Sequence, residues 1–214
     1  MRAPLLLIAA ALLGACSKSK PARQLDLDSV RVTSDARLRT DTVGDGKFAE
    51  TATFVLVDAE NTAPEGAYVT LGGDLTASGG EVLGHLKPQS LWIPAGERRT
   101  FALVDTERVP RPASTSARIV IRGAMVPDEP PRARITDQHV FDDYGKTVVQ
   151  ANVVNDADRM GQVMVIASFH DGNGLPMTRP FQMIELDRKQ AVPIQFVGPQ
   201  GSKTGTIYVG DVIY

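Results

Sequence analysis

The sequence predicts an all-β protein made of two β-sandwiches in series. Three observations carry this: apolar residues alternate with period two, no segment keeps a 3.6-residue apolar period for four helical turns, and the second half of the chain repeats the order of the first. Two stretches, Thr51-Ala52-Thr53-Phe54-Val55-Leu56-Val57 and Val163-Met164-Val165-Ile166-Ala167-Ser168-Phe169, are rich in β-branched and aromatic residues. Such residues fit a pleated sheet better than a helix, where a branched Cβ crowds the preceding turn. Between stretches of this kind stand Asp45-Gly46, Ser78-Gly79-Gly80, Pro94-Ala95-Gly96, Asp171-Gly172-Asn173-Gly174 and Gly198-Pro199, which reverse or break the chain at strand-like intervals. With 14 Pro and 19 Gly in 214 residues, many turns are expected.

The repeat sets the number of sandwiches. Val30-Arg31-Val32-Thr33 corresponds to Ala133-Arg134-Ile135-Thr136, and Asn61 followed by Gly66 to Asn155 followed by Gly161. Phe101-Ala102-Leu103-Val104 matches Ile194-Gln195-Phe196-Val197, and Ile119-Val120-Ile121 with Met125-Val126 matches Ile207-Tyr208-Val209 with Ile213-Tyr214. The offset drifts from about 103 to about 88, as insertions in loops between fixed strands would make it. Between the copies, Pro127-Asp128-Glu129-Pro130-Pro131 disfavours strand pairing and favours a stiff, extended chain. The expected layout is a first sandwich over residues 25–126, a linker over 127–132 and a second sandwich over 133–214.

The N-terminus has a different character. After Met1 and Arg2, residues 3–13 form an apolar run too short to span a bilayer core, which reads as a removable export signal. It ends in Leu13-Gly14-Ala15-Cys16, which resembles the bacterial lipobox; a plain secretory signal cut nearby is the alternative. The resemblance implies that residues 1–15 are removed and that Cys16 becomes a lipidated N-terminus. Several buried acyl chains, each methylene contributing about 0.8 kcal/mol, then anchor the protein in a membrane. Ser17 follows, not the Asp that retains many lipoproteins at the inner membrane, so the implied location is the outer membrane of the cell envelope. Residues 16–24 continue as a polar tether carrying Lys18, Lys20 and Arg23. Cys16 is the one cysteine of the chain, so no disulfide within the chain holds the sandwiches and burial alone must do so.

In the second copy, Asn155, then Gly161-Gln162-Val163-Met164-Val165, then Phe169-His170-Asp171-Gly172 resembles the FxLYD-type and related immunoglobulin-like domains of bacterial envelope proteins. The likeness covers about 80 residues, and His170 stands where that family has Leu-Tyr before the Asp. It implies tandem immunoglobulin-like β-sandwiches and no particular ligand.

Chemistry is sparse. A net charge of −2 removes the attraction that nonspecific nucleic-acid binding needs. The histidines are His85, His139 and His170. His170 and Asp171 are the best-placed acid–base pair, but neighbours in a strand point to opposite faces, so His170 reads as a residue flanking a turn. Asp171-Gly172-Asn173-Gly174 opens like a calcium loop and breaks at Leu175, so a hairpin turn is the better reading. The segment from Gly198 to Thr204 lacks the Gly before Lys203 that a phosphate loop requires. No metal, cofactor or catalytic residues are therefore expected. The candidate contact residues are Arg118 and Arg122, on one face of a strand, and Trp92, which faces outward if Leu91 and Ile93 face inward and joins the core in the other phase. Arg98, Arg99, Arg132 and Arg134 add a locally basic middle. The expected function is that of a non-catalytic, membrane-anchored envelope lipoprotein, a structural or adaptor module contacting another envelope protein. The alternative is a glycan- or surface-polysaccharide-binding lipoprotein.

Overall fold

The computed structural model describes residues 23–44 and 46–213, and over these the protein is all-β, with two short 3-10 turns at Leu27–Ser29 and Gly46–Phe48. The lipobox residues Leu13-Gly14-Ala15-Cys16 lie outside the described residues. The first eight strands are β1 Arg23–Gln24, β2 Val30–Val32, β3 Arg37–Val43, β4 Glu50–Asn61, β5 Ala67–Thr76, β6 Val82–Ile93, β7 Arg98–Val104 and β8 Ser116–Val126. The next seven are β9 Ala133–Asp143, β10 Lys146–Asn155, β11 Gly161–His170, β12 Pro176–Thr178, β13 Phe181–Leu186, β14 Ala191–Gln200 and β15 Thr204–Ile213.

They form four antiparallel sheets. In sheet I, β4 lies between β7 on one side and β2 and β3 on the other; sheet II has the order β1-β8-β5-β6. Sheet III has the order β9-β10-β14, and in sheet IV β11 lies between β15 and the pair β12 and β13. Among the described residues every ladder joins strands of the same half. Sheets I and II enclose Val55, Val57, Phe101, Val69, Leu71 and Leu86, while sheets III and IV enclose Val149, Val153, Phe196, Val163, Val165 and Phe169. Each such side chain contributes about 1.5–3 kcal/mol by leaving water.

Several ladder pairs match in register between the first and second halves. Val30 pairs with Asn61 as Ala133 pairs with Asn155, and Val57 pairs with Phe101 as Ala151 pairs with Ile194. Leu71 opposes Ile121 as Val165 opposes Val209. One correspondence shifts by a residue, since Gly161 opposes Leu186 as Ala67, not Gly66, opposes Ile93. The two asparagines do the same work in each half. Asn61 is fully buried; its amide donates to the carbonyls of Glu65 and Ile93 and its oxygen accepts from the Ala63 amide. Asn155 donates to the carbonyls of Arg159, Leu186 and Asp187 and accepts from Ala157. Each satisfies the backbone where the chain leaves one sheet for the other, a place where unpaired buried amides would be costly.

Two local expectations change. Gly198-Pro199 does not end a strand but forms a bulge inside β14, where the ladder with β10 slips between Lys146 and Val148. A side chain at Gly198 would collide with Phe169, and Pro199 is tolerated because β14 is an edge strand. Arg23 and Gln24, read as the end of the tether, already pair with Val126 and Met125 of β8. Their backbone satisfies an otherwise open edge, and the Arg23 guanidinium pairs with Glu65.

Replacing Asn155 with alanine strips four hydrogen bonds from a buried corner. Urea unfolding of Asn155→Ala should show a loss of about 2–3 kcal/mol, with Asn61→Ala behaving alike. An unchanged midpoint in either variant would deny the corner this role.

Candidate functional site

The strongest polar constellation joins the two halves. In β4 the side chains of both phases are buried from Val55 to Ala59, so the strand has no solvent face there. Val55, Val57 and Ala59 enter the first core, while Leu56 and Asp58 point from sheet I toward the second half and are only 2% and 0% exposed. In β11 the same holds from Val165 to His170, and Ile166 with Tyr208 of β15 packs into the first half's core.

At the centre sits the Asp58 carboxylate. One oxygen accepts from the Thr100 hydroxyl at 2.6 Å; the other lies 2.9 Å from His170 Nε2 and 3.9 Å from Arg98 Nε. The Tyr208 hydroxyl donates to the Thr100 carbonyl at 2.7 Å and accepts from Arg179 Nε at 3.2 Å. The Arg99 guanidinium lies over the Tyr208 ring, 4.9 Å from its centroid. Burial raises the Tyr208 phenol above its ordinary pKa, which keeps it a neutral donor. His170, expected to flank a turn, is thus buried against an acid 112 residues away. Its neighbour Asp171 faces elsewhere, accepting the amides of Asn173 and Leu175 in the hairpin turn and lying 3.5 Å from Arg37. The hydroxyl, carboxylate and imidazole stand in the order Thr100, Asp58, His170, with the acid in the middle, so the imidazole is not placed to draw a proton from the hydroxyl.

The surface candidates lie on the outer face of sheet II. Leu91 and Ile93 face inward, so Trp92 takes the outward phase, but it is only half-exposed. Its ring meets Tyr68 at a centroid distance of 5.5 Å and covers Gly66, where a Cβ would lie 2.3 Å from the indole. Arg118 pairs with Asp74, whose other oxygen takes His85 Nδ1 at 2.8 Å, and Arg122 lies across Gly72. The basic middle is divided among acids: Arg98 approaches Asp58, Arg99 pairs with Glu97, Arg132 with Glu129 and Arg134 with Asp156. The structure therefore sets Trp92 with Tyr68 and Arg118 with Asp74, and brings Arg99 and Arg134 to one pocket beside Trp92.

One feature had no sequence signal of its own. Where the outer face of sheet I meets the segment from β12 to β13, a groove of about 880 Å³ opens. Its floor is Phe54, Leu56, Ala102 and Val104, and its wall includes Met177, Phe181 and Met183. What lies against Phe54 and Leu56 comes from about 120 residues further along the chain. Comparison of the sequence with protein-family models and with curated proteins finds no match, so the reading of this chain rests on its own residues.

Two carboxylates tie acid stability to this geometry. The amides of Leu175 and Asn173 lower the Asp171 pKa, and hydrogen bonds from Arg118 and His85 lower that of Asp74. A lowered folded pKa contributes stability above the unfolded value that is lost as pH falls through the folded one. Unfolding midpoints should therefore drop on acidification below the ordinary carboxylate range, and Asp171→Asn should flatten that slope. An identical slope in the variant would show that the turn carboxylate contributes nothing to it.

Proposed function

We propose that this protein is a lipid-anchored envelope lipoprotein, held through Cys16 and favouring the outer membrane, that works without catalysis as a structural or adaptor module contacting another envelope protein. The observation that carries the reading is Leu13-Gly14-Ala15-Cys16 at the end of a short apolar run, followed by the polar segment SKSKPA before β1. That order supplies a lipid acceptor, then a tether, then folded mass. Ser17 favours the outer membrane over inner-membrane retention.

Support for an adaptor comes from the described body. Its largest buried polar constellation is consumed in joining the halves, since each Asp58 oxygen and the Tyr208 hydroxyl already has a partner inside the protein. Interlocked sandwiches with open strand edges suit a role in which the surface meets another protein and the interior holds shape.

Cells fed an alkyne fatty acid should yield labelled wild-type protein in the membrane fraction, while Cys16→Ser should be unlabelled and soluble. Labelling that survives Cys16→Ser, or an unlabelled wild type, would refute the anchor. Crosslinking in intact cells should recover a specific envelope protein, and recovery of none would refute the adaptor role.

A further inference from the structure

A sheet edge presents a row of amides and carbonyls that only another backbone can pair, and proteins usually blunt such edges with Pro, Lys, bulges or charge. The edges here divide on this point. β6 carries Lys87 and Pro88 in a bulge between its pairings to Leu71 and Gly73, and β14 carries Pro193 and Pro199. β3 is guarded by Arg37, Arg39 and Asp41. β13, with the sequence FQMIEL, has neither Pro nor Lys, and its one charge is Glu185 near its far end. Among the described residues it pairs with β11 alone, so its other edge is open.

That open edge borders the groove. Phe181 and Met183, alternate residues of β13, are 52% and 41% exposed and line the groove opposite the Phe54 and Val104 cross-strand pair of sheet I. Arg179, two residues before β13, also lines it and brings a guanidinium charge to the end of the groove where β13 begins. A carboxylate is the group that pairs a guanidinium best.

We infer that this groove binds an extended peptide segment of a partner protein, added antiparallel to β13, with alternate apolar side chains in the trough and a carboxylate against Arg179. The inference rests on the adaptor reading and names its docking site and the chemistry of its partner. An antiparallel strand brings its C-terminal side to the start of β13, which places an acidic residue or a chain terminus beside Arg179. Six residues of β13 offer about 20 Å of pairing. The thioethers of Met177 and Met183 adapt to side chains of different shape, which suits a site reading a pattern rather than one residue. An acyl chain would fill the trough but leave the edge unpaired, so the open backbone favours a peptide.

The probe is a set of fluorescein-labelled decapeptides alternating Val or Phe with Thr and ending in Asp, titrated into the exported protein. Binding is expected, with new amide hydrogen-exchange protection at residues 181–186. Met183→Glu, at an exposed position that leaves the fold intact, should weaken binding about tenfold. Arg179→Gln should abolish the preference for Asp over Asn at the peptide terminus, N-methylation of alternate peptide bonds should abolish binding, and Phe141→Ser, on sheet III, should change nothing. The inference is overturned if no peptide protects 181–186, if Met183→Glu or N-methylation has no effect, or if dodecanoate fills the groove while the peptides do not. Crosslinking to a partner through another face would overturn this placement and leave the adaptor reading standing.

Discussion

The contact between Asp58 and His170 determines how the rest of the molecule is put together. A carboxylate with no exposed surface is tolerable only when its oxygens are paired, and here the pairing groups come from both halves: Thr100 from the first and His170 from the second. Apolar packing around it, through Leu56, Ile166 and Tyr208, supplies attraction without direction. The hydrogen bonds supply the direction, because a rotation of one half against the other would take His170 from one Asp58 oxygen and the Thr100 carbonyl from the Tyr208 hydroxyl in a dry interior. The groove beside sheet I is lined from both halves, by Phe54 and Val104 of the first and by Met177 and Phe181 of the second.

The same strand plan meets two different surroundings. Tyr208 occupies the place in β15 that Val120 occupies in β8, as the matched ladders show, yet Val120 is 42% exposed and Tyr208 is 1% exposed. Likewise Asp58 lies three residues before Asn61 as Asn152 lies three before Asn155, and Asn152 sits at the surface with Asp137 as its partner. The inward positions of the two halves are apolar and match in register. The outward ones differ, one set lying in an interface and the other in water. Matching register therefore accounts for the likeness of the two cores, and the differing outward residues account for how the halves meet.

Much of the fold was legible because its signals are local. Alternation within ten residues identifies strands, and the paired asparagines mark equivalent corners well enough to align the halves to within one residue. Turn chemistry was legible at Asp171 and misleading at Gly198-Pro199, since a proline on an edge strand breaks no ladder on its open side. The interface was half legible. An acid embedded in Phe54-Val55-Leu56-Val57-Asp58-Ala59 must find a partner if both faces are covered, but nothing in the sequence pairs it with His170 across 112 residues. The arginines were legible only as a cluster in sequence, because the acids that pair them in space, Asp58, Glu97, Glu129 and Asp156, are set by the fold.

If the shared interface makes one cooperative body of the two sandwiches, heat should unfold them together. Scanning calorimetry of the exported protein at neutral pH should give a single transition whose van't Hoff and calorimetric enthalpies agree. Two resolved transitions, each close to what one sandwich would give alone, would contradict the account.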